Sequence, residues 1–301
     1  MCRILGLVYT QHSSGSSSSE LNTSISEVID AFIKASQCDP YLPYNCRDFC
    51  KNSVSSIENN CSHSDGWGLS IITFNSNTQG SVYYYRSTTP IYRKTSSVLL
   101  IDVANKILSL GEPVTLYLVL HSRKKSPGEP FGLEYTHPFM YNFEHGVAWF
   151  SHNGSASKRE LAGSLGIGGE ENYVDSQLLG FYIVKYIREC VKGEGDLEHC
   201  VIEAYRKAKN YIPSNTGFNT TLLLLWKNTV HLYISQWVNN PSSEDRKKYY
   251  DIIARVSNNL VYTASITIRE YLPLNQQREL RVIEPGVYEL KPSSLVKLGD
   301  L

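Results

Sequence analysis

The sequence predicts an α+β fold in which two antiparallel sheets pack face to face and are covered by helices. Three observations carry this reading. Strand-like segments come first, helical segments fill the middle, and strands return after Pro213. Regular strand–helix alternation is missing, which makes a doubly wound parallel sheet a poor fit. No linker or internal repeat cuts the 301 residues, so one domain is expected where length alone suggests two.

The elements follow in order. Residues 2–9 are rich in Ile, Leu and Val and read as a strand. Residues 13–19 are serines with one glycine and read as a flexible loop. Ile25, Val28, Ile29, Phe32 and Ile33 recur at helical spacing. Residues 38–61 are polar, carry two prolines and four cysteines, and show no period. Strands follow at 67–74 and 82–86, then a helix at 98–110. Residues 115–121 form a short apolar run that suits a fully buried strand, and 147–151 repeat it.

Residues 178–187 carry one apolar helical face. Leu197, Cys200, Val201, Ala204, Tyr205 and Ala208 form a second such stripe. Strands at 220–226 and 230–237 flank Lys227-Asn228-Thr229, a hairpin turn. Short strands at 260–264, 280–283 and 287–290 close the pattern.

Composition narrows the function. Hydrophobic residues make up 42% and charged residues 19%, a folding composition. Lys+Arg and Asp+Glu are 29 each, which argues against a basic nucleic-acid binder. The most apolar run, 222–226, is far too short to span a membrane. A cytoplasmic protein with reduced thiols is the expectation, so the odd count of 7 cysteines needs no pairing. Cys38, Cys46, Cys50 and Cys61 lack close Cys-x2-Cys pairs, so no metal is expected. They read as structural thiols, or as a disulfide if the source is a hyperthermophile.

Five clusters hold chemistry-bearing residues. Cys2 becomes a free N-terminal cysteine once Met1 is removed, with an amine of pKa about 7.7–8.0 beside its own thiol. Such an amine can act as the base for the thiol. Taken alone, a buried cysteine is inert packing. His63-Ser64-Asp65-Gly66-Trp67-Gly68 permits a tight turn entering a strand. Arg123, in His121-Ser122-Arg123, ends a buried strand with a fork suited to a carboxylate; a structural salt bridge is the plainer reading. His152-Asn153-Gly154 offers side-chain and backbone N–H groups to one spot, or is a plain Asn-Gly turn. Asp175-Ser176 precedes a helix, either as an ordinary N-cap or as a carboxylate for an ammonium group.

With Met1-Cys2-Arg3 and Thr136-His137-Pro138-Phe139, these clusters in this order resemble the class II glutamine amidotransferases, which are N-terminal-nucleophile hydrolases. The Asp-Gly-Trp-Gly and Thr-His-Pro-Phe signatures are most similar to the stand-alone branch of predicted amidotransferase-like hydrolases. The resemblance implies a four-layer αββα sandwich, with residues 2–301 as a single amidotransferase domain after loss of Met1. It implies Cys2 as nucleophile, attacking the side-chain amide of glutamine to form a γ-glutamyl thioester. Asn153 and the Gly154 amide would stabilise the oxyanion. Arg123 would hold the substrate carboxylate and Asp175 its ammonium group. Ser126, His137 and Trp67 join them as substrate-binding positions.

Gln177, Tyr135, Lys124 and Lys125 depart from the family pattern. They leave a larger γ-glutamyl amide open as substrate. The resemblance implies no cofactor and no membrane or nucleic-acid partner. A separate ammonia-accepting synthase subunit and a homo-oligomer stay open as partners. The rival reading is a silent or regulatory subunit of the same fold that acts by binding a partner protein.

Overall fold

The computed structural model of the chain describes residues 2–11, 18–42, 46–52, 60–75, 80–108, 114–143 and 145–301. Its elements run β1 (Arg3–Thr10), α1 (Ser18–Gln37), α2 (Cys46–Asn52), β2 (Trp67–Asn75), β3 (Gly80–Ser87), α3 (Lys94–Leu108), β4 (Val114–Ser122), β5 (Phe139–Phe143), β6 (Gly146–Gly154), α4 (Lys158–Leu165), α5 (Asp175–Lys192) and α6 (Leu197–Ala208). Then come β7 (Thr216–Trp226), β8 (Thr229–Gln236), β9 (Val238–Asn239), α7 (Glu244–Tyr249), β10 (Ile252–Val256), β11 (Leu260–Ser265), α8 (Leu274–Gln277), β12 (Arg281–Val282), β13 (Gly286–Lys291) and β14 (Ser294–Gly299).

One sheet has the order β12-β10-β11-β1-β4-β2-β3, the other β14-β13-β8-β7-β6-β5, with β9 paired to β7. Every pairing is antiparallel. Three apolar cores make this four layers. Leu5, Leu7, Leu118 and Leu120 on one sheet pack against Val28 and Phe32 of α1 and Leu100 of α3. Phe150, Leu222 and Leu224 on the other pack against Leu179 and Ile183 of α5 and Val201 of α6. Between the sheets lie Ile4, Val8, Val119, Trp149, Leu223 and Ile234.

The expected α+β sandwich is therefore present, in αββα order. All five periodic positions of the first helix are buried. The hairpin turn is two residues long, since Lys227 and Asn228 take φ 48° and 63° and Thr229 already pairs in β8. Of the expected serine loop 13–19, residues 13–17 lie outside the described residues, while Ser18 and Ser19 open α1.

Two expectations are corrected. The first is Asp175 as N-cap. Val174 takes that place, with extended backbone, and Asp175 is the first helical residue. Gln177 makes this start possible, because its Oε1 accepts the Val174 N–H at 2.9 Å.

The second is the reduced state of the thiols. Cys38–Cys50, Cys46–Cys61 and Cys190–Cys200 are disulfides, with Cα–Cα distances of 5.6, 5.5 and 5.7 Å, and Cys2 alone is free. Spacing along the chain could not reveal this. Pairing depends on where the fold brings α2 against the end of α1, and α6 against the end of α5.

Candidate active site

Alternation along β1 sends Ile4 and Val8 between the sheets and Leu5, Leu7 and Tyr9 toward the helices. Cys2 shares the alternation of Ile4. On β4, Arg123 and His121 follow the alternation of Val119, which also lies between the sheets. On β6, Asn153 follows that of Trp149. Three residues far apart in sequence thus continue one inter-sheet layer at the same end of the sandwich.

Contacts confirm the convergence. The Cys2 backbone nitrogen donates to Oδ1 of Asn153 at 2.9 Å. The Cys2 thiol lies 3.9 Å from the carbonyl oxygen of Lys124, next to Arg123. Cys2 is 7% exposed.

Asn153 is buried, and its Nδ2 has no partner among the described residues. Gly154 follows it, pressed so close to β7 that a Cβ would stand 1.8 Å from the Gly217 carbonyl oxygen. Only glycine fits there.

Arg123 is also buried. Its Nη2 donates to the Pro130 carbonyl at 2.9 Å, while Nη1 has no partner among the described residues. A buried guanidinium with one idle arm and no carboxylate contact among the described residues is suited to an anion. Its backbone is fixed by Asp65 and Gly66, through bonds of 3.0 and 2.8 Å. Gly66 has φ 105°, and a Cβ on Gly68 would meet the His137 carbonyl oxygen at 2.3 Å. The two glycines of the Asp-Gly-Trp-Gly motif therefore serve close backbone approach.

Asp175 stands half-buried beside the loop that follows Gly154. Its Oδ2 accepts the Ala156 N–H at 2.8 Å and its Oδ1 the Ser176 N–H at 2.6 Å. His152 turns to the helix side, where its ring meets the Ser176 hydroxyl at 3.1 Å. His137 stacks on His121 with centroids 3.9 Å apart. Burial holds both histidines well below the usual range, so both are neutral.

Two expected substrate positions lie elsewhere. Trp67 is fully buried in the helix-side core, on the opposite face of β2 from the inter-sheet layer. Ser126 is exposed in a turn closed by Glu129, whose N–H meets its carbonyl at 3.1 Å. The departure at Lys124 has a structural use: its Nζ ties down the carbonyls of Asn60 and Ser62 at 2.9 and 2.8 Å.

The motifs missed Asp39. Its carboxylate forms a fully buried ion pair with Arg3 and meets Nε2 of His63 at 2.9 Å. Burial would raise the Asp39 carboxyl, but Arg3 and His63 override it and hold it at about 2. Burial also lowers His63, to about 4, against the pull of Asp39. One signal was available: Arg3 is a charge inside an otherwise apolar strand.

Two of the surface cavities among the described residues do not include Cys2. One, of about 400 Å³, is lined by Tyr41, Arg47, Arg246 and Tyr249. The other, of about 310 Å³, is lined by Tyr84, Arg86, Glu134, Tyr141 and Phe181. The described residues hold no cluster of metal-ligating side chains and no helix long and apolar enough to cross a membrane.

No protein-family model and no curated protein matches the chain. Solved structures do match in fold. An allosteric regulatory enzyme of purine biosynthesis aligns with TM-score 0.52 at 11% identity, over 99% of this chain and 49% of that one. Glutamine phosphoribosylpyrophosphate amidotransferase from B. subtilis, complexed with ADP and GMP, aligns with TM-score 0.51 at 10% identity, again over 99% and 49%. A predicted glutamine amidotransferase from Pseudomonas aeruginosa PA01 aligns with TM-score 0.41 at 11% identity, over 98% and 95%. The chain spans about half the length of the first two. At these identities the first two likenesses show the fold alone, an antiparallel αββα sandwich.

Proposed function

We propose that this chain is a glutamine amidotransferase-type amidohydrolase. It cleaves the side-chain amide of glutamine or of a γ-glutamyl compound, and Cys2 is the nucleophile. The observation that carries the reading is the Cys2–Asn153 bond, with the second arm of Asn153 buried and unpartnered among the described residues.

The chemistry follows from that pair. Loss of Met1 turns the Cys2 nitrogen into an α-amine. One of its N–H bonds goes to Asn153, leaving the lone pair to take the thiol proton. The thiolate attacks the amide carbon, and charge develops on the amide oxygen. Nδ2 of Asn153 and the Gly154 N–H are the donors assigned to that oxygen. Collapse expels ammonia, or an amine, which takes the proton from the Cys2 ammonium. A thioester is left. Water, activated by the same amine, releases the glutamyl product and restores the thiol.

Arg123 suits the substrate carboxylate, because its Nη1 is buried and unpartnered among the described residues and the residue after it touches the thiol. Asp175 is assigned the ammonium group, since its Oδ2 keeps a lone pair beyond the Ala156 N–H bond, while Oδ1 takes both the N–H and the hydroxyl of Ser176. The ammonia goes free or to a separate synthase subunit. Three disulfides favour an oxidising compartment over the cytoplasmic one expected from the sequence.

The test is ammonia release from glutamine and from a panel of γ-glutamyl amides, by wild type and Cys2→Ala. Intact mass should show loss of Met1. The glutamine analogue 6-diazo-5-oxo-norleucine should label Cys2. Activity that survives Cys2→Ala, or active protein that keeps Met1, overturns the mechanism. A folded wild type that releases no ammonia from any of them returns the binding-subunit reading.

A further inference from the structure

Cys2 is gripped from its carbonyl side as well as its nitrogen. Arg3 Nη1 donates to the Cys2 carbonyl oxygen at 3.2 Å. Its Nη2 pairs with Oδ2 of Asp39. The guanidinium lies 4.4 Å from the centroid of the Tyr249 ring. Asp39 has no slack either. Its Oδ2 also meets His63, and its Oδ1 accepts the Thr267 hydroxyl at 2.9 Å and the Tyr41 N–H at 3.0 Å.

A buried ion pair is a poor device for stability, because apolar side chains of the same volume often do better. This one instead has a directional use. The planar guanidinium bridges one carboxylate and one carbonyl, a geometry a lysine cannot copy.

The carboxylate is itself anchored. Asp39 follows Cys38, which is bonded to Cys50, and its N–H meets the carbonyl of Cys61 at 2.8 Å. Cys61 is bonded to Cys46. The two crosslinks interlock in sequence, since Cys46 lies inside the first loop and Cys50 inside the second. His63, two residues after Cys61, bonds back to Ser36 of α1 through its N–H at 2.8 Å.

We propose that Asp39 is a positioning residue for Cys2, acting through Arg3. A terminal cysteine freed of Met1 would otherwise rotate about its own backbone. Asn153 fixes its nitrogen, and Arg3, aimed by Asp39, fixes its carbonyl. Together they set where thiol and amine stand relative to each other. Small errors in that placement are expensive in rate. The catalytic consequence rests on the function proposed above; the placement of Cys2 does not.

The test uses the full chain with its disulfides intact, so that Cys2 is the free thiol. The rate of Cys2 alkylation by iodoacetamide is measured against pH in wild type, Asp39→Asn and Arg3→Lys. Folding is checked by circular dichroism, and glutamine turnover is normalised to sites labelled by 6-diazo-5-oxo-norleucine. Both variants should change the alkylation rate at least fivefold and move its pH midpoint. Turnover per labelled site should fall at least tenfold with KM within twofold. A merely structural role would lower the number of sites and leave each site unchanged.

Arg3→Lys keeps a cation for Asp39 while losing the second arm to Cys2, so it decides the matter if Asp39→Asn does not fold. Folded variants with wild-type alkylation rate and midpoint overturn the proposal. A wild type that alkylates at Cys2 but releases no ammonia, with variants that still alter alkylation, removes the glutamine reading and keeps the positioning role.

Discussion

The Cys2 nitrogen donates to Oδ1 of Asn153 at 2.9 Å, across the space between the two sheets. On the proposed mechanism one amide side chain serves two tasks. Its oxygen orients the amine, and its nitrogen stays available for the developing oxyanion. Asn153→Ala is expected to lower kcat by about 10²–10³ and to change KM little. Steady-state kinetics on glutamine check this. A variant within threefold of wild-type kcat would remove Asn153 from the oxyanion site.

Arg123 is expected to act on binding. The substrate carboxylate is held alike in ground state and transition state, so Arg123→Ala should raise KM for glutamine by about 10–100-fold with a smaller effect on kcat. Some stability should go as well, because the Pro130 carbonyl loses its donor. A change in kcat alone would contradict the assignment.

Thiol titration of the unfolded, unreduced chain should find one free thiol, rising to the full 7 after reduction. The three crosslinks close sequence separations of 12, 15 and 10 residues. Loops of this size contribute about 3 kcal/mol each. Reduction should therefore lower the urea midpoint strongly. Finding several free thiols before reduction would return the cytoplasmic expectation.

Acid should unfold the protein in two stages. His63, His121, His137 and His152 are lowered by burial and stay neutral in the fold. The unfolded chain protonates them near pH about 6.5, so their contribution is full above that and shrinks as pH falls, for His63 down to about 4. Asp39 acts lower. Its contribution is present above the ordinary carboxylate pKa of about 3.9 and is lost as pH falls through about 2. Urea melts between pH 6 and 5 should lose more than about 1.4 kcal/mol per unit, the value for one proton. A shallower slope would mean that these histidines are not neutral in the fold.

Much of this was legible in the chain. The helical stripes from Ile25 and from Leu197 are both buried as their spacing implies. Cys2 and Asn153 do meet, and the Cys2 thiol reaches the backbone of Lys124, next to Arg123. Other elements were hidden. β14 carries no run of apolar residues, and β10 is only five residues long. Lys124 looked like a departure from a motif, yet it ties down two carbonyls.

The sequence by itself determined the fold class, most element types and the order of the motifs, because these depend on local period and neighbouring residues. Only the tertiary structure decided which face each strand turns inward. In a four-layer sandwich both faces of a strand are buried, and seven of the eight residues of β1 are buried in succession. The alternation that would tell inside from outside is then absent. That is why Trp67 could be placed with the substrate on sequence grounds while the fold puts it in the helix-side core. The partners of Arg3 and of six cysteines were hidden for a related reason. Asp39, Cys50 and Cys61 reach them through packing of α1, α2 and the loop before β2, and no spacing along the chain encodes that approach.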